Sequence, residues 1–270
     1  MKNIIITGAS GSVGAAATRA LAQQGWHVIM ACRDVNKGEI VRQEILSQNP
    51  SASIELRELE MSSRESIQRF AAGLNGVTVD ALFNNAGIKA HKYAESADGI
   101  EQDMAVNYIG PAMLTELILP LIPNSGSIVN MVSLTCRFAK LNINWRNRKA
   151  EDFSQLGFYS TSKLAFLYYS IGLAKRNPQL NVNVSDPGIV NSNMISMGQW
   201  YDPLADIFFR PFIKTPEQGA VSSLNAINHT GSLEYFVGKS HSKIAKKYLE
   251  SPLIDQLWQQ FNSDFYSIIK

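Results

Sequence analysis

The chain has 270 residues, and 25 Lys and Arg against 23 Asp and Glu give a net charge of +2. Hydrophobic residues make up 45% and charged residues 18%, which excludes a disordered chain or a collagen-like repeat and supplies a large core without disulfides or structural metal. The near-neutral balance gives no electrostatic reason to expect nucleic acid or an anionic membrane as partner.

In chain order, Met1-Lys2 leads into a short apolar run at residues 4–6 that Thr7-Gly8 cuts off, too short for a signal-peptide core. No later stretch approaches the roughly 20 apolar residues of a membrane helix, so a soluble, cytoplasmic protein is expected. Further apolar runs lie at 28–31, 53–56, 81–83, 128–132 and 182–184, the run at 53–56 being the weakest. They are nearly continuous rather than alternating, as in strands buried on both faces of a parallel sheet. Helical patterns separate them. Val13 to Gln24 is alanine-rich and stops at Gly25, a natural C-terminal cap. Ser62, followed three residues later by Glu65, suggests a capping box. This alternation, without a linker or internal repeat, predicts an α/β fold over residues 1–270. Its class is a single-domain Rossmann-type doubly wound parallel sheet with helices on both faces. Residues 1 to about 135 would form the dinucleotide-binding part, and about 136 to 270 the catalytic and substrate part.

Between the first strand and the first helix lies Thr7-Gly8-Ala9-Ser10-Gly11-Ser12-Val13-Gly14. Glycines there let the backbone approach a pyrophosphate, whose charge the free N–H groups of the helix start attract. Tight strand-to-helix turns need glycine for steric reasons too. Position decides: the turn follows an N-terminal strand and opens a helix. Gly8, Ser10, Gly11, Ser12 and Val13 are the candidate phosphate contacts. The second strand ends in Ala31-Cys32-Arg33-Asp34. An acidic residue there holds a ribose 2′-hydroxyl, whereas arginine favours a 2′-phosphate. Arg33 comes first, which favours NADP over NAD. Asp34 has an alternative role as N-cap of the next helix.

Tyr159-Ser160-Thr161-Ser162-Lys163 opens another helical pattern, and its tyrosine and lysine, four apart, share one face. Such a pair alone is common. Here it follows Asn84-Asn85-Ala86-Gly87 after a strand, Asn107 in Ala105-Val106-Asn107-Tyr108, and Ser133 after the 128–132 run; Pro187-Gly188 comes after the next strand. In these motifs and their order the chain resembles the short-chain dehydrogenase/reductase family from Lys2 to about residue 240. The segment from Ala31 to Glu39 and the long stretch between Ser133 and Tyr159 are similar to the retinol-dehydrogenase and protochlorophyllide-reductase branch.

The resemblance implies an NADP-dependent oxidoreductase that interconverts an alcohol and a ketone or aldehyde. Tyr159 would exchange a proton with the substrate oxygen while hydride moves to or from nicotinamide C4. Lys163 would bind the nicotinamide ribose. As a cation about 5 Å from the phenol, at an effective dielectric near 20, it would also favour the phenolate by roughly 3 kcal/mol. Ser133 would hydrogen-bond the substrate oxygen and Asn107 would hold a water in the proton relay. Met61, Asn85, Ala86 and Gly87 would lie along the cofactor, as would Pro187, Gly188 and Val190. Taken singly, Ser133 is a strand-end hydroxyl and Asn107 a helix-kinking polar residue; their register with Tyr159 gives them weight.

Three positions depart from the family pattern. Ser12 takes the middle glycine of Thr-Gly-x-x-x-Gly-x-Gly, while glycines 8, 11 and 14 match the spacing of the longer epimerase-like branch, for whose extra domain the chain has little room. Glu60, in Leu59-Glu60-Met61, stands where aspartate is usual and would take the adenine-amino contact. Ser192 replaces a threonine and keeps a hydroxyl for the nicotinamide carboxamide.

Cys32 and Cys136 suggest small buried hydrophobes, and His27, His91, His229 and His241 lack ligand spacing, so no metal is expected. Arg146-Asn147-Arg148-Lys149 suggests a solvated loop. Met194 to Phe212, rich in methionine and aromatic residues, suggests a lid over an apolar substrate, with an ordinary buried helix–loop pair as the alternative. The expected partner is a small, lipophilic carbonyl or alcohol, with no nucleic acid and no membrane; a homo-oligomer stays open. Two rival functions also stay open: an NADP sensor without turnover, and a nucleotide-sugar epimerase.

Overall fold

Strand by strand, the apolar runs divide between two cores. In β1 (Asn3–Thr7), Ile4 and Ile6 are buried in one core and Ile5 in the other, all three with no exposed surface. The same division recurs in β2 (His27–Cys32), where Val28 and Met30 join one core and Ile29 the other. The computed structural model describes residues 1–191 and 213–269, with side chains as far as residue 263.

The first half places α1 (Ser12–Gln23), α2 (Val35–Gln48), β3 (Ser53–Glu58), α3 (Arg64–Ala72) and β4 (Ala81–Asn84) in βα alternation. Then come β5 (Ser127–Met131), the long helix α6 (Gln155–Arg176), β6 (Asn181–Asp186), α7 (Pro216–Ile227), β7 (Glu234–Val237) and β8 (Ser240–Lys243). A short helix α8 (Lys246–Leu249) and α9 (Leu253–Ile269) close the chain. The sheet runs β3-β2-β1-β4-β5-β6-β7-β8, parallel through β7, with β8 antiparallel at the edge. Strand order reverses between β1 and β4, which opens a crevice at the C-terminal strand ends. The helices α1, α2 and α7 cover one face; α3, α6 and α9 cover the other. The predicted fold class is therefore what is observed. Sequence periodicity had not located β7 and β8.

Local stops and starts mostly follow the sequence. Gly25, at φ 82°, turns the chain beyond the end of α1. Asp34 caps α2, its side chain accepting from Lys37 N at 2.9 Å. The expected box at Ser62 and Glu65 is corrected by one position. Ser63 is the cap of α3, accepting from Ser66 N at 3.2 Å, because Ser62 is drawn to Glu60, giving Oε1 its N–H at 3.0 Å and its hydroxyl at 2.8 Å.

A further correction concerns the run Gln102–Leu121, whose mean hydropathy of 1.3 and 20 residues suffice by length and composition to cross a membrane. In the fold it is a core helix, 67% buried. It is not a uniform helix. It comprises α4 (Gln102–Met104), a π-helical turn (Ala105–Ile109) and α5 (Gly110–Ile118). Pro111 has no N–H to return to the carbonyl of Asn107, and its ring crowds that carbonyl, so the helix widens there.

Gly110, at this junction, passes so close to the Met61 backbone that an added Cβ would collide with the Met61 carbonyl. Helix propensity alone would make Gly110→Ala stabilising by about 1 kcal/mol. Here the backbone cannot swing aside, and overpacking of about 1–3 kcal/mol prevails. A lowered urea midpoint for Gly110→Ala is therefore expected; a raised one would mean that the Met61 segment yields.

Candidate active site

The crevice at the β1/β4 reversal is a cleft of about 1730 Å³. Its floor is the turn after β1. Gly8 adopts φ 64°, and a Cβ there would lie 2.9 Å from Ala86 Cα, so the turn and the loop after β4 touch backbone to backbone. Thr7 fixes that contact, its Oγ1 accepting from Asn85 N at 3.0 Å and Ala86 N at 2.9 Å. Asn85 replies with its side-chain amide, which donates to Thr7 O at 2.7 Å and Gly8 O at 3.2 Å. Asn85 thus builds the floor, while Asn84 turns into the core and donates to Asn130 Oδ1 at 2.8 Å.

At the start of α1 the N-cap is Gly11, which has no side chain to cap the first turn. The helices α2, α3, α6 and α7 each have a side-chain cap. Ser12, Val13 and Gly14, whose first-turn N–H groups Gly11 leaves without a side-chain cap, line the cleft, an arrangement suited to phosphate. Ser10 and Gly11 line the same cleft. At the far end, Arg33 Nε pairs with Glu60 Oε2 at 3.5 Å, and both side chains line the cleft. Glu60 is held in place by Ser62. Next to it Met61 is buried and also lines the cleft.

The opposite end gathers the tyrosine, lysine, serine and asparagine. α6 presents Tyr159 and Lys163 on one face, and β5 leads into Ser133. Lys163 is buried and its Nζ donates to Met131 O at 3.0 Å. Gly87 makes room for it: a Cβ there would lie 3.1 Å from both Lys163 Nζ and Asn107 Oδ1. Asn107 itself bridges, accepting from Ile88 N at 2.9 Å and donating to Ile88 O and to Ser162 Oγ, each at 2.9 Å. Ser162 Oγ in turn donates to Tyr159 O at 2.8 Å. Both amide protons of Asn107 are thereby committed to Ile88 O and Ser162 Oγ. Ser133 Oγ accepts from Thr135 N at 3.3 Å and Thr135 Oγ1 at 3.1 Å.

Burial sets the protonation states. Tyr159 keeps some surface open to the cleft, yet the protein packed around its phenol pushes its pKa well up, with the Ser133 hydroxyl pulling it back in part. This corrects the expected lowering by Lys163. Burial pushes Lys163 itself down to about 8, against the opposing charges of Cys136, Asp103 and Asp186. Asp103 was not foreseen. It has no exposed surface, accepts from Ala90 N at 3.0 Å through Oδ1, and leaves Oδ2 buried without a partner. Burial pushes its pKa up to about 7.

Asp186, also missed, closes β6. Its carboxylate accepts from Gly188 N at 2.7 Å and from the Tyr235 hydroxyl at 3.0 Å. It thereby sets the Pro187-Gly188 turn, where Gly188 sits at φ 73° and Lys214 Nζ reaches Pro187 O at 3.2 Å. Val190 is buried at the cleft wall and pairs with Lys214. Asp186 could have been read from its place just before Pro187-Gly188; Lys214 carries no sequence signal. Ser192 and the proposed lid at 194–212 lie outside the described residues. Cys32 and Cys136 are free and buried, as expected. In the basic run Arg146, Asn147 and Lys149 are exposed, as expected, and Arg146 and Arg148 also lie over the Trp145 and Phe158 rings at 4.5 and 4.2 Å.

A profile of short chain dehydrogenases matches residues 2–200. The chain belongs to the short-chain dehydrogenase/reductase family. It is therefore an oxidoreductase of CH–OH and C=O groups. It is 36% identical to human retinol dehydrogenase 11 over 251 residues, covering 89% of this chain and 77% of that protein. To bovine retinol dehydrogenase 12 it is 34% identical over 255 residues, covering 92% and 79%. Among solved structures, an uncharacterized protein from Mycobacterium paratuberculosis superposes with a TM-score of 0.77 at 27% identity, covering 98% of this chain and 94% of that one. A short-chain dehydrogenase from Sphingobium yanoikuyae in complex with NADPH does so with a TM-score of 0.68 at 16% identity, covering 100% and 97%, which shows the common fold.

Asp103 gives this dehydrogenase/reductase a testable pH dependence. Its pKa is raised on folding, so between about pH 4 and 7 the folded state holds a proton that the unfolded state has lost. Its contribution to stability is therefore complete at low pH and declines as pH rises through that window, by at most about 1.4 kcal/mol per pH unit. The charges acting on it are Glu101, Lys163 and Lys89. Asp103→Asn keeps an acceptor for Ala90 N and removes the titration. Urea unfolding should find the variant gaining on wild type from pH 5 to pH 8; a pH-independent difference would refute the assignment.

Proposed function

We propose that the protein is an NADP-dependent reductase or dehydrogenase that interconverts a lipophilic alcohol and its ketone or aldehyde, with Tyr159 as acid/base. The observation that carries this is the convergence of Tyr159, Lys163 and Ser133 in one cleft, with buried Asn107 bonded to Ser162 behind them, the helix start that Gly11 leaves without a side-chain cap, and the Arg33–Glu60 pair. Bound NADPH supplies the hydride. Tyr159, its pKa held high, keeps its proton at neutral pH and donates it to the oxygen of a carbonyl being reduced. Ser133 offers its hydroxyl to the same oxygen. Lys163, with a pKa near 8, stays mostly cationic at pH 7 and holds the ribose side.

Support for NADP comes from Arg33 at the end of β2 and, at the level of the fold alone, from the NADPH-bound neighbour. Support for a lipophilic substrate comes from the retinol dehydrogenase relatives. It comes also from apolar side chains left exposed at the cleft, Leu156 at 56% and Ile189 at 49%. Leu134 and Phe138, which follow Ser133 in the chain, are exposed as well.

Tyr159→Phe tests the proton donor. NADPH oxidation with a carbonyl substrate should fall by at least about 10²-fold, the usual share of general acid–base catalysis, while NADPH binding stays within a few-fold. More than a tenth of wild-type kcat in this variant would remove Tyr159 from the mechanism.

Arg33→Ala tests the cofactor. Losing a charge-assisted hydrogen bond to a 2′-phosphate costs about 1.5–3 kcal/mol, or roughly ten- to hundredfold in affinity. NADPH should weaken by that factor and NADH stay nearly unchanged; equal losses would make Arg33 structural.

A further inference from the structure

The sequence expectation of no metal rested on spacing along the chain, and the fold removes that ground. His229 lies just past the C-cap of α7, Glu234 opens β7, and His241 stands in β8. The hairpin register pairs Glu234 with Lys243 and Phe236 with His241, which sets all four on one face of the sheet edge. That face is the one α7 covers, since Phe236 shares its core with Ala220 and Ala226. The ligand atoms of His229, Glu234 and His241 all lie within 4.8 Å of one another, and His241 Nε2 is 3.8 Å from Glu234 Oε2. The two imidazole rings are 4.9 Å apart, and both pack on buried Phe236, at 5.3 and 4.9 Å. The Glu234 side chain is only 10% exposed, and its other oxygen takes Lys243 Nζ at 2.6 Å.

We propose that His229, Glu234 and His241 form a binding site for zinc or a related borderline divalent cation, which ties the edge hairpin to the end of α7. Two imidazoles and one carboxylate are a donor set for zinc, with water in the fourth position, and the imidazoles disfavour magnesium and calcium. Bonds of about 2.0–2.1 Å in a tetrahedron separate ligand atoms by about 3.3 Å, so the three need to close by no more than about 1.5 Å. His241 is exposed and His229 half-exposed beyond a helix end, so rotamer changes suffice. Lys243 is the built-in competitor. It can keep Oε1 while the cation takes Oε2, but its charge opposes the metal. No residue of this site lines the cleft, and the outcome is independent of the proposed chemistry.

The test is calorimetric titration of the metal-stripped full chain with zinc chloride, in wild type and in His229→Ala, His241→Ala and Lys243→Gln. One zinc per chain is expected, in the micromolar range. Each histidine variant should weaken it by at least about tenfold. Lys243→Gln, which removes the cation paired with Glu234 and leaves an amide able to donate to Oε1, should tighten it. Zinc should also raise the Tm of wild type and not of His241→Ala, since only a cation bound to the folded state stabilises it. Absence of micromolar binding, or binding indifferent to either histidine or to Lys243, would overturn the site and leave the cluster as the ion-pair network of a buried glutamate.

Discussion

The side-chain amide of Asn107 stands where three elements meet, and the placement of Tyr159 and Lys163 depends on it. It grips both the N–H and the carbonyl of Ile88, so the loop after β4 is held at two points to the π-helical turn. Its remaining proton goes to Ser162, which passes the restraint to the first turns of α6 through the Tyr159 carbonyl. An amide buried this deeply costs about 1–3 kcal/mol for each partner it fails to find. The three bonds therefore select one arrangement. Pro111 supplies the other half of the device: by widening the helix at Asn107 it lets the side chain face the loop. The close approaches at Gly87 and Gly110 follow from the same crowding.

Around this lock, burial rather than pairing decides where protons sit. Tyr159, Lys163 and Asp103 each have desolvation as the largest cause of their shifts. The directions differ because the charged form is disfavoured in each: the phenol and the carboxyl hold protons more tightly, the ammonium less. Lys163 and Asp103 are thus brought to within about one pH unit of each other, near 8 and 7. Each feels the other's charge, which opposes the shift that burial imposes on both. The Asp103 oxygen that lacks a partner lies in the same neighbourhood, its carboxylate opposing the fall in the Lys163 pKa.

Features that depend on short-range order were legible in the sequence. Continuous apolar runs gave the parallel strands, the glycine turn gave the crevice, and the spacing of Tyr159 and Lys163 gave a shared helix face. Tertiary competition was not legible. Ser62 looked like a cap until Glu60 claimed it, and nothing in the chain order around Asn85 showed that its amide fastens Thr7 and Gly8. Asp103 drew no attention because its complete burial is set by tertiary packing rather than by local pattern. β7 and β8 are four residues each, with too little alternation to register. The histidines beside them meet only through that hairpin.

For the NADP proposed above, the Arg33–Glu60 end of the cleft poses a problem of charge that its geometry answers. Glu60 is anchored by Ser62 through two hydrogen bonds, so its negative charge cannot leave the cleft. A 2′-phosphate arriving there meets repulsion unless a cation lies between. Arg33, with 69% of its side chain exposed, forms only a long contact to Glu60, and such exposed pairs are worth about 0–1 kcal/mol. A charge-assisted bond to phosphate is worth about 1.5–3 kcal/mol. Arg33 can therefore turn toward a phosphate at little cost while its charge still screens Glu60. With a 2′-hydroxyl instead, Glu60 would itself accept the hydrogen bond and Arg33 would have nothing to gain. Under the proposed reading, cofactor preference would rest on which of these two side chains can move, and the bonds from Ser62 hold Glu60 rather than Arg33.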